Sequence, residues 1–237
     1  MTKAQIAKYI DHTALAAFAT EKEIVKLCKE AVTYGFASVC INPSYVPLAH
    51  KKLKDTDVKV CTVIGFPLGC DTMESKAFSA KDAVLKGADE LDMVINISEA
   101  KNGNFDYVEK DIKAVVDAAK AGASEVNKKI IVKVILETCY LTDDEVVKAC
   151  IASKNAGADF VKTSTGFGTP KAPDGTALPN GASVHHVQLM KKTVGDLMKI
   201  KAAGGIRSVR TAEELIKAGA DRLGTSSGLL IYQNWED

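Results

Sequence analysis

The sequence has no apolar stretch long enough to cross a lipid bilayer, and its first residues, MTKAQIAKYIDHT, lack the apolar core of a secretory signal. It also has little excess charge of either sign, because 31 basic residues stand against 30 acidic ones. A chain of this kind is not expected to bind nucleic acid or an anionic membrane through a general electrostatic surface. We therefore expect a cytoplasmic protein with no membrane and no nucleic-acid partner.

Metal-ligand spacing is also missing from the sequence. None of the six cysteines is spaced as CxxC from another, and the four histidines lack ligand spacing among themselves. Most of the cysteines lie in apolar runs such as SVCIN and VKVCTVIGF. We therefore expect free, buried, reduced thiols and no structural zinc site.

What the sequence does contain is one short joint that recurs along the chain. Lys86–Asp89 (KGAD), Ala156–Asp159 (AGAD) and Ala218–Asp221 (AGAD) each follow a helical stretch and precede a short apolar run. Tyr34–Ala37 (YGFA) has the same place earlier in the chain. The glycine suits the left-handed position that ends a helix. A helix-to-strand joint that recurs in this way predicts repeated αβ units.

Eight short segments are predicted to be strands, and several are rich in β-branched residues, as expected of parallel strands buried on both faces. Amphipathic helices are predicted between them at Glu21–Val32, Phe105–Ala119 and Asp143–Asn155, the last with Thr142 as N-cap and Glu145 three residues later. The predicted strands are Tyr9–His12, Ala37–Ile41, Val58–Ile64, Glu90–Ile95, Ile130–Leu136, Phe160–Lys162, Met198–Ala202 and Arg222–Gly224.

About eight strands that alternate with helices match the size and pattern of a single (β/α)8 barrel. We therefore predict one α/β TIM-barrel domain over residues 1–237, with a short N-terminal helix. An open doubly wound sheet is the alternative. Against it, no GxGxxG motif follows the first strand, and no domain boundary is visible.

Lysines stand at two predicted strand ends, where TIM barrels carry their chemistry. Lys162 closes the sixth predicted strand, and Lys201 lies near the end of the seventh. A lone lysine in such a place is most often a solvated surface group. Two lysines in one barrel mouth favour another interpretation, because a second cation and partial burial both disfavour an ammonium group. The neutral amine that results is the form needed for a Schiff-base nucleophile.

Carboxylates in the neighbouring strands are candidates for the same mouth. Asp92, in the fourth predicted strand, would relay protons or position a water there, or would simply neutralise a lysine. The two roles do not exclude each other. Glu137, which closes the fifth predicted strand, is a further candidate partner. We assign no chemical role to His185 and His186, and a packing role to Cys40.

Two glycine-rich segments follow the last two predicted strands, where barrels of this kind often bind phosphate. They are Gly204-Gly205 and Gly224–Gly228 (GTSSG). Glycines let backbone N–H groups approach an anion, Ser226 and Ser227 add hydroxyl donors, and a short helix after Thr225 would present its N-terminus. The alternative is that these glycines only form tight turns.

These segments together resemble the deoxyribose-phosphate aldolase family, class I (Schiff-base) aldolases with a TIM-barrel fold. The similar segments span nearly the whole chain. They are YIDHTAL (9–15), YGFASVCINPSYV (34–46), VKVCTVIGFPLG (58–69), ADELDMVINI (88–97), VKVILETCYLTDDE (132–145), GADFVKTSTGFG (157–168), IKAAGGIRS (200–208) and RLGTSSG (222–228).

The resemblance implies reversible cleavage of 2-deoxy-D-ribose 5-phosphate to D-glyceraldehyde 3-phosphate and acetaldehyde, in deoxyribose phosphate catabolism. It implies that Lys162 forms the imine, that Lys201 is the second active-site lysine, and that Asp92 is the acid/base aspartate. Small phosphorylated sugars and aldehydes are then the expected partners. The residues implied to bind the substrate or its phosphate are Gly204, Gly205, Ser226, Ser227 and Thr163.

The resemblance also implies no metal and no organic cofactor, since the iminium itself is the electron sink. A homodimer or a larger homo-oligomer is expected. One segment departs from the resemblance, because Thr169–Ser183 looks longer than the family's usual connection. It belongs to a long loop, Gly166–Ser183, that contains three of the six prolines and borders the expected site.

Two other functions fit parts of the pattern. A phosphate-binding isomerase on the same fold would use Asp92 or Glu137 as a base and would form no imine. A catalytically silent sugar-phosphate sensor would bind ligand without turnover. The pair formed by Lys162 and Lys201 argues against the sensor, which has no use for a tuned amine.

Overall fold

The structure, a computed structural model, describes residues 1–236 and contains a closed barrel of eight parallel strands. The strands pair in sequence order, and the last pairs with the first, so that Ile10 lies beside Leu223. The strands are β1 (Ile10–Ala14), β2 (Ser38–Ile41), β3 (Lys59–Ile64), β4 (Glu90–Val94), β5 (Ile131–Ile135), β6 (Phe160–Lys162), β7 (Lys199–Ala203) and β8 (Arg222–Thr225).

Helices connect the strands and cover the outside of the barrel. Two short 3-10 turns, Pro43–Tyr45 and Thr138–Tyr140, follow β2 and β5. No helix within residues 1–236 is both long enough and apolar enough to cross a membrane. The α-helices are α1 (Lys3–Ala7), α2 (Glu21–Tyr34), α3 (Val46–Leu53), α4 (Met73–Leu85), α5 (Ile97–Lys101), α6 (Phe105–Glu125), α7 (Asp143–Asn155), α8 (Val184–Val194), α9 (Val209–Lys217) and α10 (Gly228–Gln233).

The closed ring of strands confirms the predicted (β/α)8 barrel with its short N-terminal helix, and it excludes the open doubly wound sheet. The predicted strands differ from the observed ones by at most two residues at either end. Helix α7 has the predicted bounds and the predicted capping box, in which the Thr142 side chain accepts a hydrogen bond from the Glu145 N–H.

Helix α6 is six residues longer than predicted, ending at Glu125 instead of Ala119. Gly122 lies in the added part, and a glycine inside a helix normally weakens it. Here a Cβ at Gly122 would lie within 3.4 Å of both Lys81 and Val84 on α4, so the glycine lets the two helices approach closely. Tertiary packing therefore extends the helix beyond what its sequence predicts.

The recurring glycine joints form as predicted. Gly35, Gly87, Gly157 and Gly219 all have positive φ angles, between 69° and 116°, at the point where a helix gives way to a strand. Gly35 is the left-handed C-cap of α2. A side chain at these positions would strain the backbone, which explains why glycine recurs there.

The aspartates of the three GAD joints have a structural role that the sequence pattern does not reveal. Each carboxylate accepts a hydrogen bond from a backbone N–H near the start of the preceding strand, which would otherwise lack a partner at the edge of the barrel. The aspartates therefore fix the register at the amino end of the barrel. The pairs are Asp89 with Val60 (3.0 Å), Asp159 with Val132 (2.8 Å) and Asp221 with Ile200 (2.9 Å).

All six cysteines are free thiols, as predicted, but two of them are not buried. Cys70 is exposed and Cys139 is partly exposed, because both lie in loops that follow strands and not in the strands themselves. The expectation of buried thiols is therefore wrong for these two residues.

A buried ion pair joins the helices that cover β3 and β4. The Nζ atom of Lys76 on α4 lies 2.6 Å from Oδ2 of Asp111 on α6, and it also donates to the carbonyl of Val94 at 3.0 Å. Both side chains are fully buried. A charge in such a place is tolerated only while its partner is present.

Replacing Lys76 by methionine should destabilise the fold strongly, because it leaves Asp111 buried without a partner. We expect a loss of about 3–5 kcal/mol in the free energy of unfolding, measured by urea denaturation. Lys86→Met is the matched control, since Lys86 pairs with Asp82 at 2.7 Å on the surface and should contribute less than about 1 kcal/mol. Similar small losses in the two variants would contradict this account.

Candidate active site

The interior of the barrel is lined by charged side chains. Strand residues two apart share a face, so a charged side chain can point inward from most of the strands. Six of the seven interior charged residues are at most 2% exposed, and the seventh, Arg222, is 13% exposed. They are Asp11 on β1, Glu90 and Asp92 on β4, Lys133 on β5, Lys162 on β6, Lys201 on β7 and Arg222 on β8.

Asp92 is the centre of this cluster. Its Oδ2 lies 2.7 Å from the Nζ of Lys162 and 2.7 Å from the Nζ of Lys201. Its Oδ1 lies 3.0 Å from the Nζ of Lys133. The three residues that the sequence singled out, Lys162, Lys201 and Asp92, are thus in direct contact, and a fourth, Lys133, joins them.

A lower layer of charges continues the network toward the amino end of the barrel. The Nζ of Lys201 forms an ion pair with Asp11 at 2.5 Å, and the Nε of Arg222 donates to Asp11 at 2.8 Å. Arg222 also contacts Glu90 at 3.0 Å, and Glu90 lies 2.5 Å from the Nζ of Lys133. These contacts form a closed ring through β1, β4, β5, β7 and β8, which Lys162 on β6 joins through Asp92.

The contacts of the network hold Asp92 and Lys201 in their charged forms. Burial alone would raise the pKa of Asp92, but the ammonium groups of Lys133, Lys162 and Lys201 overcome this and hold the pKa well below its usual value. Burial alone would likewise lower the pKa of Lys201, but Asp11 and Asp92 raise it well above its usual value. Asp92 is therefore an anion and Lys201 a cation at neutral pH.

The charges inside the barrel do not balance if all seven residues are ionised. Three carboxylates, those of Asp11, Glu90 and Asp92, stand against four cationic side chains. Lys201 contacts two of the carboxylates, whereas Lys162 contacts Asp92 alone. Loss of the proton from Lys162 would leave equal numbers of positive and negative charges.

Lys162 also differs from the other charged residues in its access to ligand. A cavity of about 620 Å³ opens at the carboxyl end of the barrel, and Lys162 is the one member of the seven that lines it. The remaining six lie beneath the cavity floor or deeper in the barrel. The other lining residues are 13–18, 165–167, 203–207 and 224–226.

The two predicted glycine loops lie at this cavity. Gly204, Gly205 and Ser226 line it, and both glycines have positive φ angles, 91° and 76°. Ser227 stands one residue further on, as the N-cap of α10, and its N–H donates to the Thr225 hydroxyl. Arg207, which the sequence did not single out, adds a guanidinium group to the lining.

Thr163 is placed differently from the other predicted binding residues. It is fully buried, and its hydroxyl donates to the carbonyl of Ala203 and accepts from the N–H of the same residue, both at 3.1 Å. It is not among the residues that line the cavity. In this structure Thr163 holds the carboxyl ends of β6 and β7 together.

The long loop after β6 is held at both ends. At its start, the Glu137 carboxylate accepts hydrogen bonds from the N–H and the hydroxyl of Thr165. Near its end, Gly181 packs directly on Gly204, where a Cβ on Gly181 would lie 2.4 Å from the Gly204 carbonyl oxygen. Between the two ends, a bridge between Lys171 and Ala177 forms a small hairpin.

Four interior charges escaped the sequence reasoning: Asp11, Glu90, Lys133 and Arg222. Glu90 and Asp92 are two apart in β4, and a pair of charges on one face of an otherwise apolar strand is a signal that could have identified them. Lys133 within IIVKVIL is a similar signal. Assigning their partners, however, requires the register of the closed barrel.

Two groups of side chains in residues 1–236 have donor atoms close enough to hold a metal ion. Cys40 and Cys61 form one group with Asp92, but three lysine ammonium groups already surround that carboxylate and oppose a cation. Asp143, His185 and His186 form the other at the amino ends of α7 and α8, whose dipoles disfavour positive charge. Neither group is a favourable metal site.

Known aldolases resemble this chain over nearly its whole length. The sequence model of the DeoC/LacD family of aldolases matches residues 5–234. The deoxyribose-phosphate aldolase of Thermoanaerobacter pseudethanolicus is 57% identical over 230 residues, which cover 97% of this chain and 96% of that protein. The enzyme of the same description from Clostridium perfringens strain SM101 is 57% identical over 233 residues, covering 98% and 96%.

A solved structure agrees with these sequence matches. The deoxyribose phosphate aldolase of Aeropyrum pernix, which is described as a tetramer, superimposes with a TM-score of 0.85 at 33% identity. The superposition covers 98% of this chain and 91% of that one.

The interior carboxylates should make the stability of the protein depend on acid pH. The pKa values of Asp11 and Asp92 are lower in the folded state than the usual value of about 3.9, so the stability they contribute is present above that pH and is lost as the pH falls. In Asp11→Asn, the slope of the unfolding free energy between about pH 4 and pH 2 should decrease by about 1.4 kcal/mol per pH unit.

Urea denaturation at a series of pH values measures this slope. Asp117→Asn serves as the control, because it removes a carboxylate that is more than half exposed and pairs only with Lys113. The control should leave the slope close to that of the wild type. An unchanged slope in Asp11→Asn would mean that the interior network does not govern acid stability.

Proposed function

The chain belongs to the DeoC/LacD aldolase family, and from this membership we propose how its residues carry out the deoxyribose-phosphate aldolase reaction. The enzyme is a carbon–carbon lyase that cleaves 2-deoxy-D-ribose 5-phosphate reversibly to D-glyceraldehyde 3-phosphate and acetaldehyde. Lys162 is the residue that forms the Schiff base. The observation that carries this assignment is that Lys162 is the one interior charged residue that reaches the cavity.

The reaction begins with the neutral amine of Lys162. It attacks the aldehyde carbon of the open-chain sugar, and the carbinolamine that forms loses water to give an iminium ion. The iminium withdraws the electron pair of the C2–C3 bond as the C3 hydroxyl loses its proton. Glyceraldehyde 3-phosphate leaves, the enamine is protonated at C2, and hydrolysis of the new iminium releases acetaldehyde and restores the amine.

Charged side chains surround the proposed nucleophile. Lys133, Lys201 and Arg222 already balance the three interior carboxylates. Lys162 itself lies 2.7 Å from Asp92 and is close enough to Glu137 for the two groups to interact. Lys201, which shares the Oδ2 atom of Asp92 with Lys162, adds the repulsion of a neighbouring cation.

Asp92 and Lys201 provide the proton transfers beside the imine. Asp92 lies 2.7 Å from the Lys162 nitrogen and exchanges protons with the carbinolamine and the substrate hydroxyl through a water. Lys201 keeps Asp92 ionised and returns protons to the same oxygen, from which it lies 2.7 Å away. Asp11 holds Lys201 in place from below.

The glycine loops bind the phosphate of the substrate. Gly204 and Gly205 bring backbone N–H groups to the cavity wall, while Ser226 and Ser227 add hydroxyl groups beside the amino end of α10. Arg207 supplies a positive charge at the same side of the cavity. Thr163 contributes indirectly, since it fixes the end of β6 from which Lys162 projects.

Several broader properties complete the proposal. The chain forms one aldolase domain over residues 1–237, works in the cytoplasm and assembles as a homodimer or a larger homo-oligomer. The tetrameric relative from Aeropyrum pernix supports an oligomer. Small phosphorylated sugars and aldehydes are its partners, and no cofactor is needed because the iminium accepts the electrons.

An isomerase with Asp92 as base fits the site less well than an aldolase. An isomerase would need no imine-forming amine, yet the interior charged residue that lines the cavity is Lys162 and not Asp92. Glu137, the other candidate base, is occupied by hydrogen bonds from Thr165. A silent sensor would not need the contact between Lys162 and Asp92.

Borohydride reduction in the presence of acetaldehyde tests the imine. We expect an ethyl group on Lys162, located by mass spectrometry of the digested protein, and no adduct in Lys162→Met. Lys133→Met is the comparison variant, since it removes a lysine from the same network without removing the nucleophile. An unmodified Lys162 in the active wild-type enzyme would refute the mechanism.

Ser226→Asp tests the phosphate site, because it places a negative charge where the substrate carries one. We expect the KM for 2-deoxyribose 5-phosphate to rise by at least about tenfold, while turnover of unphosphorylated 2-deoxyribose changes little. Ser226→Ala is the neutral control. Equal losses with both sugars would remove the phosphate assignment.

A further inference from the structure

Glu137 is the one buried carboxylate at the carboxyl end of the barrel that the proposed chemistry does not use. It lies two residues after the end of β5 and is 1% exposed. Its backbone has φ 56° and ψ 60°, the left-handed region that a residue with a side chain rarely adopts. Strained residues of this kind persist only where surrounding contacts require them, and they concentrate at functional sites.

The shortest contacts to the Glu137 carboxylate come from Thr165 in the neighbouring loop, and the Cys139 thiol adds a longer one at 3.8 Å. The N–H of Thr165 lies 3.2 Å and 3.3 Å from the two carboxylate oxygens, and the Thr165 hydroxyl donates to Oε2. No ion pair to Glu137 forms within residues 1–236, although the charge of Lys162 is close enough to be felt. The carboxylate therefore serves as a hydrogen-bond acceptor for Thr165.

Thr165 is itself part of the cavity wall, three residues after Lys162. Its hydroxyl has a single proton, and that proton is given to Glu137. The N–H of Phe167 donates to the Thr165 hydroxyl oxygen at 2.9 Å. What remains on the Thr165 oxygen is one lone pair, so this hydroxyl can offer a ligand an acceptor but not a donor.

Further contacts fix the next residues of the long loop after β6. The Tyr140 hydroxyl accepts a hydrogen bond from the N–H of Thr169 at 2.7 Å. Cys139 packs on Gly168 so closely that a Cβ there would lie 2.7 Å from its sulfur. The turn that begins at Glu137 thus fixes the first residues of the long loop, and its Thr138 N–H donates to the carbonyl of Thr163, next to the nucleophile, at 3.0 Å.

We propose that Glu137 is a positioning residue of the aldolase, which holds Thr165 against the cavity with its hydroxyl oriented as an acceptor beside Lys162. The acceptor receives the O–H of the sugar or of the carbinolamine and so favours ligands that carry a hydroxyl at that place. This inference rests on the proposed function of Lys162. Glu137 itself touches no reacting atom.

Hydrogen exchange and kinetics together test the proposal, with Glu137→Gln, Thr165→Val and the double variant. In Glu137→Gln a neutral NH2 group replaces one of the two charged oxygens, so Thr165 loses an acceptor and its hydroxyl reverses to accept from the NH2 group. We expect the amide of Thr165 to exchange at least about tenfold faster than in the wild type. We also expect kcat/KM for cleavage to fall by about ten- to a hundredfold, in line with the loss of hydrogen bonds to a charged group.

Three controls separate positioning from a general loss of stability. Glu109→Gln makes the same chemical change at a carboxylate that bonds only the Asn155 side chain, and it should leave both measurements unchanged. Thr165→Ser retains the hydroxyl and should restore activity close to that of the wild type. The double variant should be no worse than the more damaged single variant, because both single changes remove the same interaction.

The outcomes distinguish this inference from the proposed function. Unchanged exchange at Thr165 in Glu137→Gln, or additive losses in the double variant, would overturn the positioning role even with the imine on Lys162 established. A wild-type enzyme that forms no imine would overturn the proposed function. The exchange measurement needs no turnover, so it would still show whether Glu137 holds Thr165.

Discussion

The structure depends on the burial of seven charged side chains inside one barrel. Taking a single ion out of water costs several kcal/mol, so such a cluster is stable only if its members neutralise one another through close contacts. Ion pairs of this kind join three carboxylates to three cations, namely Asp11, Glu90 and Asp92 to Lys133, Lys201 and Arg222. Lys162 is the remaining charge, and it is also the one that meets the cavity. The same electrostatic network that stabilises the interior therefore also holds a lysine at the cavity, in contact with the Asp92 carboxylate.

Carboxylates serve the two ends of the barrel in different ways. At the amino end, the aspartates of the GAD joints accept backbone hydrogen bonds and fix the register of the strands. Toward the carboxyl end, Asp92 accepts from side-chain ammonium groups. The first set determines where each strand begins, and a strand that begins one residue later would turn its inward side chains outward. The contacts of Asp92 with lysines on three other strands therefore depend on the hydrogen bonds made at the opposite end.

Local patterns in the sequence predicted the fold and singled out three residues that lie in contact, and they failed where the answer depends on distant partners. The repeated glycine joints and apolar runs predicted eight strands, and the polar residues at the ends of those runs identified Lys162, Lys201 and Asp92, which the structure brings into contact. Lys133 was missed, because its relation to Asp92 appears only when β4 and β5 are placed in register. The resemblance implied that Thr163 binds the substrate or its phosphate, whereas its hydroxyl bonds the backbone of Ala203 on the next strand. Glu137 was recognised as a candidate without its partner, since Thr165 lies in a loop whose course the sequence does not determine.

The long loop after β6 can differ in length without moving the groups around Lys162, because the contacts that hold it to the barrel are made at its two ends. Its start is held to Glu137 through Thr165, and its end is held to Gly204 through Gly181 and through the bond from the Ala182 N–H to the Gly204 carbonyl. Both anchors lie at the cavity wall, one beside Lys162 and the other at a glycine of the β7 loop. The hairpin around Lys171 and Ala177 lies between them, and its inner contacts are backbone bonds within the loop itself. Residues added to the hairpin would therefore change the approach to the cavity and leave the groups around Lys162 where they are.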